Sequence, residues 1–229
     1  MNRPRRGGRL PGLLAVLLLT ACSTPTPSPT ACPTSAPTAD EATSVLADAN
    51  AVEVKTNKGS FTIQLQPASA PIATANFVAL ARCGFYAGIS FHRVVAGFVI
   101  QAGDPQTRDN HGDFDSVGSG GPGYPFEVEQ APQGTTYTRY MVAMANAMQY
   151  DLATGDIQGG TDTNGSQFFV MLADAPGLRP YYSVLGTVSS GQATVDSIGQ
   201  LPTTGDPTNV PLDPAIIESM TVQGAAQPS

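Results

Sequence analysis

The chain of 229 residues contains no tryptophan, only two histidines (His92 and His111) and only three cysteines (Cys22, Cys32 and Cys83). Two histidines and scattered cysteines do not supply the three or four nitrogen and sulfur ligands, at suitable spacing, that a zinc site needs. There is no Gly-x-Ser-x-Gly elbow, so a hydrolase would want both its nucleophile and its base. No Gly-x-x-x-x-Gly-Lys stretch offers a phosphate cradle, and no internal repeat suggests a solenoid. Charged residues make up only 13% of the chain, whereas glycine (24) and proline (20) are abundant. Few charges and many turn formers suit a loop-rich β protein better than a helical bundle. The longest apolar run near the start, Leu13–Leu19, falls well short of the roughly 20 residues that span a bilayer.

What stands at the N-terminus reads as an address. Arg3, Arg5, Arg6 and Arg9 precede the Leu13–Leu19 core, and no acidic residue lies among them, the pattern of an export signal. It ends in Leu19-Thr20-Ala21-Cys22, which resembles a bacterial lipobox. That resemblance implies removal of residues 1–21 and lipidation of Cys22, with several acyl chains giving a firm anchor. Without the four arginines, seven basic residues face eighteen acidic ones, a net charge of −11. Such a surface repels nucleic acid and anionic lipid headgroups, so membrane contact is expected through Cys22 only. Residues 22–49 begin with a Pro/Thr/Ser-rich stretch, Ser23–Thr38, which cannot bury enough apolar surface to order itself and reads as a tether. Cys32 and Cys83 could pair outside the cytoplasm, but their spacing does not fix the distance between them, and a half-buried Cys83 with a free Cys32 is the favoured reading.

The folded part is expected over residues 50–225. Val52–Thr56 and Phe61–Leu65 alternate around the turn signal Asn57-Lys58-Gly59, as in a hairpin. Ile72–Ala81 reads as an amphipathic helix, with Pro71 suited to its first position and Gly84 to its C-terminal cap. Phe91–Val95, Phe98–Ala102, Tyr140–Met144, Gln167–Leu172, Val184–Val188 and Ile216–Val222 read as further strands, and Gln192–Ile198 as a second short helix. Eight short strands separated by turns suggest a barrel or a sandwich. Residues 104–136 read as a long surface loop.

Few of these residues carry chemistry. His92, beside Phe91 on a strand, reads as a satisfied core residue rather than a base. His111-Gly112-Asp113-Phe114-Asp115 and the set Asp151, Asp156 and Asp162 gather oxygen atoms. Neither follows the calcium-loop pattern, and solvated turn aspartates are the favoured reading. Neither a metal nor a cofactor is therefore expected. Arg93 and Gln101 remain, on adjacent strands among phenylalanines. They read equally well as a structural ion-pair neighbourhood or as groups that direct hydrogen bonds at an amide. Phe98, Phe168 and Phe169 could simply pack in the core, or could hold an apolar ring.

The stretch Phe91-His92-Arg93-Val94-Val95-Ala96-Gly97-Phe98-Val99-Ile100-Gln101-Ala102-Gly103-Asp104 resembles the signature of the cyclophilin-type peptidyl-prolyl isomerases. Val142–Ala147, Asn164–Val170, Gly120–Tyr124 and Ala75-Asn76-Phe77 resemble that family in the right order. The resemblance covers about residues 51–224 and implies an eight-stranded antiparallel closed barrel capped by two short helices. It implies that Arg93 is catalytic and that Gln101 supports it. It implies a proline pocket of Phe98, Val99, Phe169 and Leu178, with Tyr182 where the family carries His or Tyr. Ala145, Asn146 and Gln167 would line a peptide groove, the Asn146 backbone pairing with the substrate. The expected activity is rotation about X–Pro bonds in exported proteins, by an extracytoplasmic, lipid-anchored monomer whose partners are proline-containing polypeptides. The alternative is a non-catalytic module or chaperone that grips such segments.

Four departures accompany the resemblance. Ala96 replaces a common proline, and Met148–Asp162 is an insertion beside the site. Leu178-Arg179-Pro180-Tyr181 replaces the usual Leu-Asp-Gly-Lys, and Gly177 stands where cyclosporin-sensitive members carry tryptophan. Loss of that indole surface predicts weak cyclosporin binding, measured by titration; a nanomolar dissociation constant would overturn this expectation.

Overall fold

The structure, a computed structural model, describes Met1 and residues 31–108 and 117–224. The expected leader, the lipobox Cys22, and His111 with Asp113 and Asp115 lie outside the described residues.

Alternation of apolar and polar residues builds the sheet. In the hairpin of β1 (Ala51–Thr56) and β2 (Gly59–Leu65), Phe61, Ile63 and Leu65 are buried while Thr62 and Gln64 between them are not. The chain continues through α2 (Pro71–Arg82), β3 (Arg93–Val95), β4 (Val99–Ala102), β5 (Met141–Met144), β8 (Phe168–Met171), β9 (Val184–Ser190), α3 (Gln192–Ile198) and β10 (Ile217–Gln223). These strands form one eight-stranded sheet in the order β10-β1-β2-β9-β5-β8-β4-β3. Pro71 sits in the first turn of α2, as expected, but Ala70 offers no side-chain cap. Glu129 supplies the missing acceptor from a distant loop, receiving the Ile72 and Ala73 N–H groups at 3.1 and 2.7 Å. A carboxylate there also meets the positive end of the helix dipole.

The sheet is an open half-barrel, not the closed barrel expected, with β10 and β3 as its edges. One isolated bridge, Ser90–Ile216, spans the seam, helped by Gly88 N–H to the Ile217 carbonyl and Phe91 N–H to the Ala215 carbonyl. β3 cannot extend the ladder further because it is only three residues long. Its Val94 N–H turns instead to the carbonyl of Asn209, at 2.9 Å.

Two elements differ further from expectation. Among the described residues there are three helices rather than two, because Ala39–Leu46 at the end of the expected tether forms α1. A reciprocal cap starts it: the Thr38 hydroxyl accepts from Glu41 N–H while the Glu41 carboxylate accepts from Thr38 N–H. Ala42 of α1 is buried, and Val45 and Leu46 pack against the core. Arg82 of α2 donates to the Val45 carbonyl and pairs with Asp48. The ordered domain therefore begins before residue 50. The insertion Met148–Asp162 contributes a small separate ribbon, β6 (Gln149–Tyr150) against β7 (Ile157–Gly159).

The main core fills the concave side of the sheet. Phe61, Phe77, Tyr86, Phe91 and Phe168 are fully buried there, Phe168 meeting Phe77, Tyr86 and Phe91 edge to face. Alternation sends Val99, Ala143, Phe169, Met171 and Val184 to the opposite face, where they form a second, smaller apolar cluster.

Contrary to the favoured reading of a free Cys32, Cys32 and Cys83 are joined in a disulfide that ties the N-terminal arm to the end of α2. Cross-linking residues 51 apart restricts the unfolded chain by about 4 kcal/mol in the loop-entropy picture. Cys83→Ser is expected to lower the unfolding free energy by about 2–4 kcal/mol, measured by chemical denaturation; an unchanged midpoint would mean that the arm adds nothing to stability.

Candidate active site

Strand register lays the expected residues side by side. Arg93 on β3 pairs with Gln101 on β4, Gln101 pairs with Phe169 on β8, and Phe169 pairs with Ala143 on β5. This row crosses four strands on the outer face, opposite the main core. Val99 and Met171 form the next row. Residues i and i+2 of a strand share a face, so Gln167 lies on the same side as Phe169.

A directed chain of hydrogen bonds orients the arginine. The Gln167 amide nitrogen donates to the carbonyls of Gly118 and Gly120, at 2.9 and 2.8 Å. Carbonyls only accept, so that end of Gln167 must be its NH₂. Its Oε1 consequently faces Gln101, whose Nε2 donates to it at 2.9 Å. The Gln101 Oε1 is left facing Arg93 and accepts from Nη1 at 3.3 Å. Beyond the glycines stands Asp104, fully buried, whose carboxylate accepts the N–H groups of Gly118 (2.6 Å), Gly120 (3.2 Å) and Gln106 (2.8 Å). A Cβ at Gly120 would lie 2.1 Å from Asp104 Oδ1, so glycine is required there. The sequence offered Asp104 only as the end of a motif. Its role depends on a loop fourteen to sixteen residues downstream.

The expected apolar wall is also assembled. Phe98, Leu178 and Tyr182 pack, half-buried, against the cluster containing Val99 and Phe169. The Tyr182 ring stands edge-on to Phe169, with centroids 5.2 Å apart. Tyr137, which sequence reasoning missed, fixes Tyr182 at both main-chain groups: its hydroxyl donates to the Tyr182 carbonyl at 2.9 Å and accepts from the Tyr182 N–H at 3.1 Å. Burial raises the Tyr182 pKa, with Tyr150 adding to the rise and the Arg93 charge opposing it. The guanidinium thus lies within electrostatic reach of the wall, and it makes no salt bridge among the described residues.

A cavity of about 660 Å³ adjoins this row, lined in part by Gln101, Gly120, Ala145, Asn146 and Gln167. Ala145 also packs against the apolar cluster, so groove and wall are continuous. The Asn146 side chain is occupied, donating to the Tyr181 carbonyl at 2.8 Å and accepting the Met148 N–H at 3.1 Å. From α2, buried Asn76 steadies the far rim: it donates to the Gly165 carbonyl at 2.9 Å and accepts the Tyr124 hydroxyl at 2.8 Å. Two aspartates of the 151–162 set serve the chain itself, Asp156 accepting the Thr154 hydroxyl. Asp151 accepts the N–H groups of Ala153 and Thr154.

Residues 51–222 match the family model for cyclophilin type peptidyl-prolyl cis-trans isomerases. A peptidyl-prolyl cis-trans isomerase of Helicobacter pylori is 38% identical over 157 residues, covering 68% of this chain and 83% of that protein. Peptidyl-prolyl cis-trans isomerase A of Mycobacterium tuberculosis is 36% identical over 196 residues, covering 78% of this chain and 94% of that protein. Among solved structures, a cyclophilin type isomerase of Cryptosporidium parvum superposes with a TM-score of 0.63 at 29% identity, covering 79% of this chain and 99% of the other. The same protein crystallised in the presence of the dipeptide Ala-Pro gives 0.62 at 30% identity, covering 76% and 99%.

His92 lies just before β3, buried, and neither ring nitrogen has a hydrogen-bond partner among the described residues. It is thus a core histidine, as expected, but among the described residues not a satisfied one. Burial lowers its pKa to about 4; neighbouring Arg93 adds to the fall, while Asp104 and the Ser90 backbone oppose it. The unfolded chain therefore binds the extra proton first, and stability contributed by neutral His92 is lost as pH falls from about 6.5 to about 4. Melting temperatures across that window should drop more steeply for the wild type than for His92→Gln. Parallel slopes would remove this group from the acid response.

Proposed function

The chain belongs to the cyclophilin-type peptidyl-prolyl cis-trans isomerase family, and we propose that Arg93 performs its catalysis by hydrogen bonding to the twisted imide nitrogen. Peptidyl-prolyl isomerisation is the activity of the chain's relatives by name and of the family whose domain it carries. The planar X–Pro bond is held by delocalisation of the nitrogen lone pair, with a barrier of about 18–20 kcal/mol. In the twisted state that lone pair is localised on a pyramidal nitrogen and can accept a hydrogen bond. A guanidinium held at that nitrogen binds the twisted state better than either planar one, and only such differential binding accelerates the step. Arginine suits the task because it stays charged and its donors form a rigid fork.

The observation that carries this reading is the orientation of Gln101. Its oxygen accepts from Arg93 because every bond behind it has a fixed direction. In this reading Phe98, Val99, Phe169 and Leu178 hold the proline ring, with Tyr182 at its edge. They exclude water, which strengthens the new hydrogen bond. Ala145, Asn146 and Gln167 take the flanking chain, with the Asn146 backbone as its partner. Proline-containing polypeptides are the substrates, exported proteins among them. The disulfide between Cys32 and Cys83 supports an oxidising, extracytoplasmic setting, with lipidation at Cys22 as the anchor and a monomer as the working form.

Arg93→Ala is expected to lower kcat/KM on a proline peptide by about thirty- to a thousandfold, the equivalent of about 2–4 kcal/mol, in a protease-free assay. Arg93→Lys should recover only part of that loss. Unchanged turnover by a folded Arg93→Ala protein would refute the assignment, and peptide binding without acceleration by the wild type would favour a gripping module instead.

A further inference from the structure

Arg93 lies on a strand with little to hold it. β3 has three residues, and only β4 pairs with it in the sheet. A free strand edge leaves N–H and C=O groups without a ladder partner. Here the segment between α3 and β10 takes that place. Phe91 N–H donates to the Ala215 carbonyl at 2.8 Å, and Val94 N–H to the Asn209 carbonyl at 2.9 Å. Successive side chains alternate across a strand, so Val94 enters the main core while Arg93 turns to the active face. Fixing the Val94 N–H therefore fixes the roll of the strand that aims the guanidinium.

The loop that presents Asn209 is tied to itself. Thr203 bridges to Pro211, and Thr204 N–H donates to the Val210 carbonyl at 2.8 Å. Val210 N–H donates to the Thr204 hydroxyl at 3.0 Å, and Asn209 N–H to the Gly205 carbonyl at 2.8 Å. Among the described residues, Asn209 is one of two non-glycine residues with positive φ, at 53°. That left-handed conformation is uncommon for most residues, more accessible to asparagine and an outlier for β-branched ones. The Asn209 side chain itself holds little. Its Nδ2 lies 3.4 Å from Asp206 Oδ1 and 3.5 Å from the Pro207 carbonyl, both longer than a good hydrogen bond. The position therefore calls for a backbone conformation, the one that turns the carbonyl toward β3.

We propose that Asn209 is a positioning residue for the isomerisation: its left-handed backbone holds the edge of β3 and so sets Arg93 against the substrate nitrogen. Gln101 orients the arginine at its guanidinium, and Asn209 at the main chain of its strand. The inference rests on reading Arg93 as the catalytic group.

Two substitutions of Asn209 separate conformation from side chain. Valine, of similar size, resists the left-handed backbone, and glycine adopts it freely. In the protease-free assay Asn209→Val should lower kcat about tenfold with KM little changed, because a small misplacement of a catalytic group costs at least that much. Asn209→Gly should keep the wild-type kcat, and Asn209→Ala, a milder obstacle, should fall between. In an Arg93→Ala background Asn209→Val should change nothing further, since the two act as one unit. An equal loss in both backgrounds, a loss confined to KM, or the same loss in Asn209→Gly as in Asn209→Val would overturn the proposal. So would an unchanged kcat in Asn209→Val where Arg93→Ala is slow. Failure of the catalytic reading looks different, because Arg93→Ala alone would then turn over like the wild type. Amide hydrogen exchange at Val94 reads the hold on β3 without catalysis. Protection should be lost in Asn209→Val and kept in Asn209→Gly; equal protection in all three proteins would sink the role given to Asn209.

Discussion

The active face depends on one directional constraint, the two glycine carbonyls that accept from Gln167. A side-chain amide has a donor end and an acceptor end, so two of them in series transmit direction. Gly118 and Gly120 set Gln167, Gln167 sets Gln101, and Gln101 presents oxygen to Arg93. Asp104 holds the glycine loop from behind, which roots the series in the buried interior. An arginine on a short edge strand has a long, flexible stem. A fixed acceptor limits the orientations that stem can take, which is the preorganisation the proposed differential binding requires.

The same face shows how one sheet serves two purposes. Odd and even positions of β4 and β8 part company at every residue. Ile100 and Phe168 enter the main core, while Val99, Gln101 and Phe169 turn outward. The concave side holds the fold together through large interlocking rings. The outer side needs only a small apolar cluster, roofed by loops, with charge at one end. Tyr137 and Tyr182 bring a distant loop onto that cluster, and the inserted ribbon lies against the continuation of the same loop.

Legibility divided along these lines. The eight strands of the sheet and helices α2 and α3 were readable because their buried residues follow local periods, as Phe61, Ile63 and Leu65 do. That Arg93, Gln101, Phe98, Val99 and Phe169 come together was readable because they crowd into two short motifs. Helix α1 carried its own signal, the Thr38…Glu41 cap, hidden at the edge of a Pro/Thr/Ser-rich stretch that argued for a tether. The ribbon β6–β7 has too few residues for any period to register.

By itself the sequence determined which residues alternate, where turns must fall and which side chains share a strand face, because those follow from neighbours along the chain. Only the tertiary structure decided that Cys32 meets Cys83, that Glu129 caps α2, that Asp104 governs Gly118 and Gly120, and that the sheet stays open at the seam between β3 and β10. Each of these is a contact between segments far apart in the chain. Its partners are selected by the path of the backbone, and no local pattern of residues encodes that path.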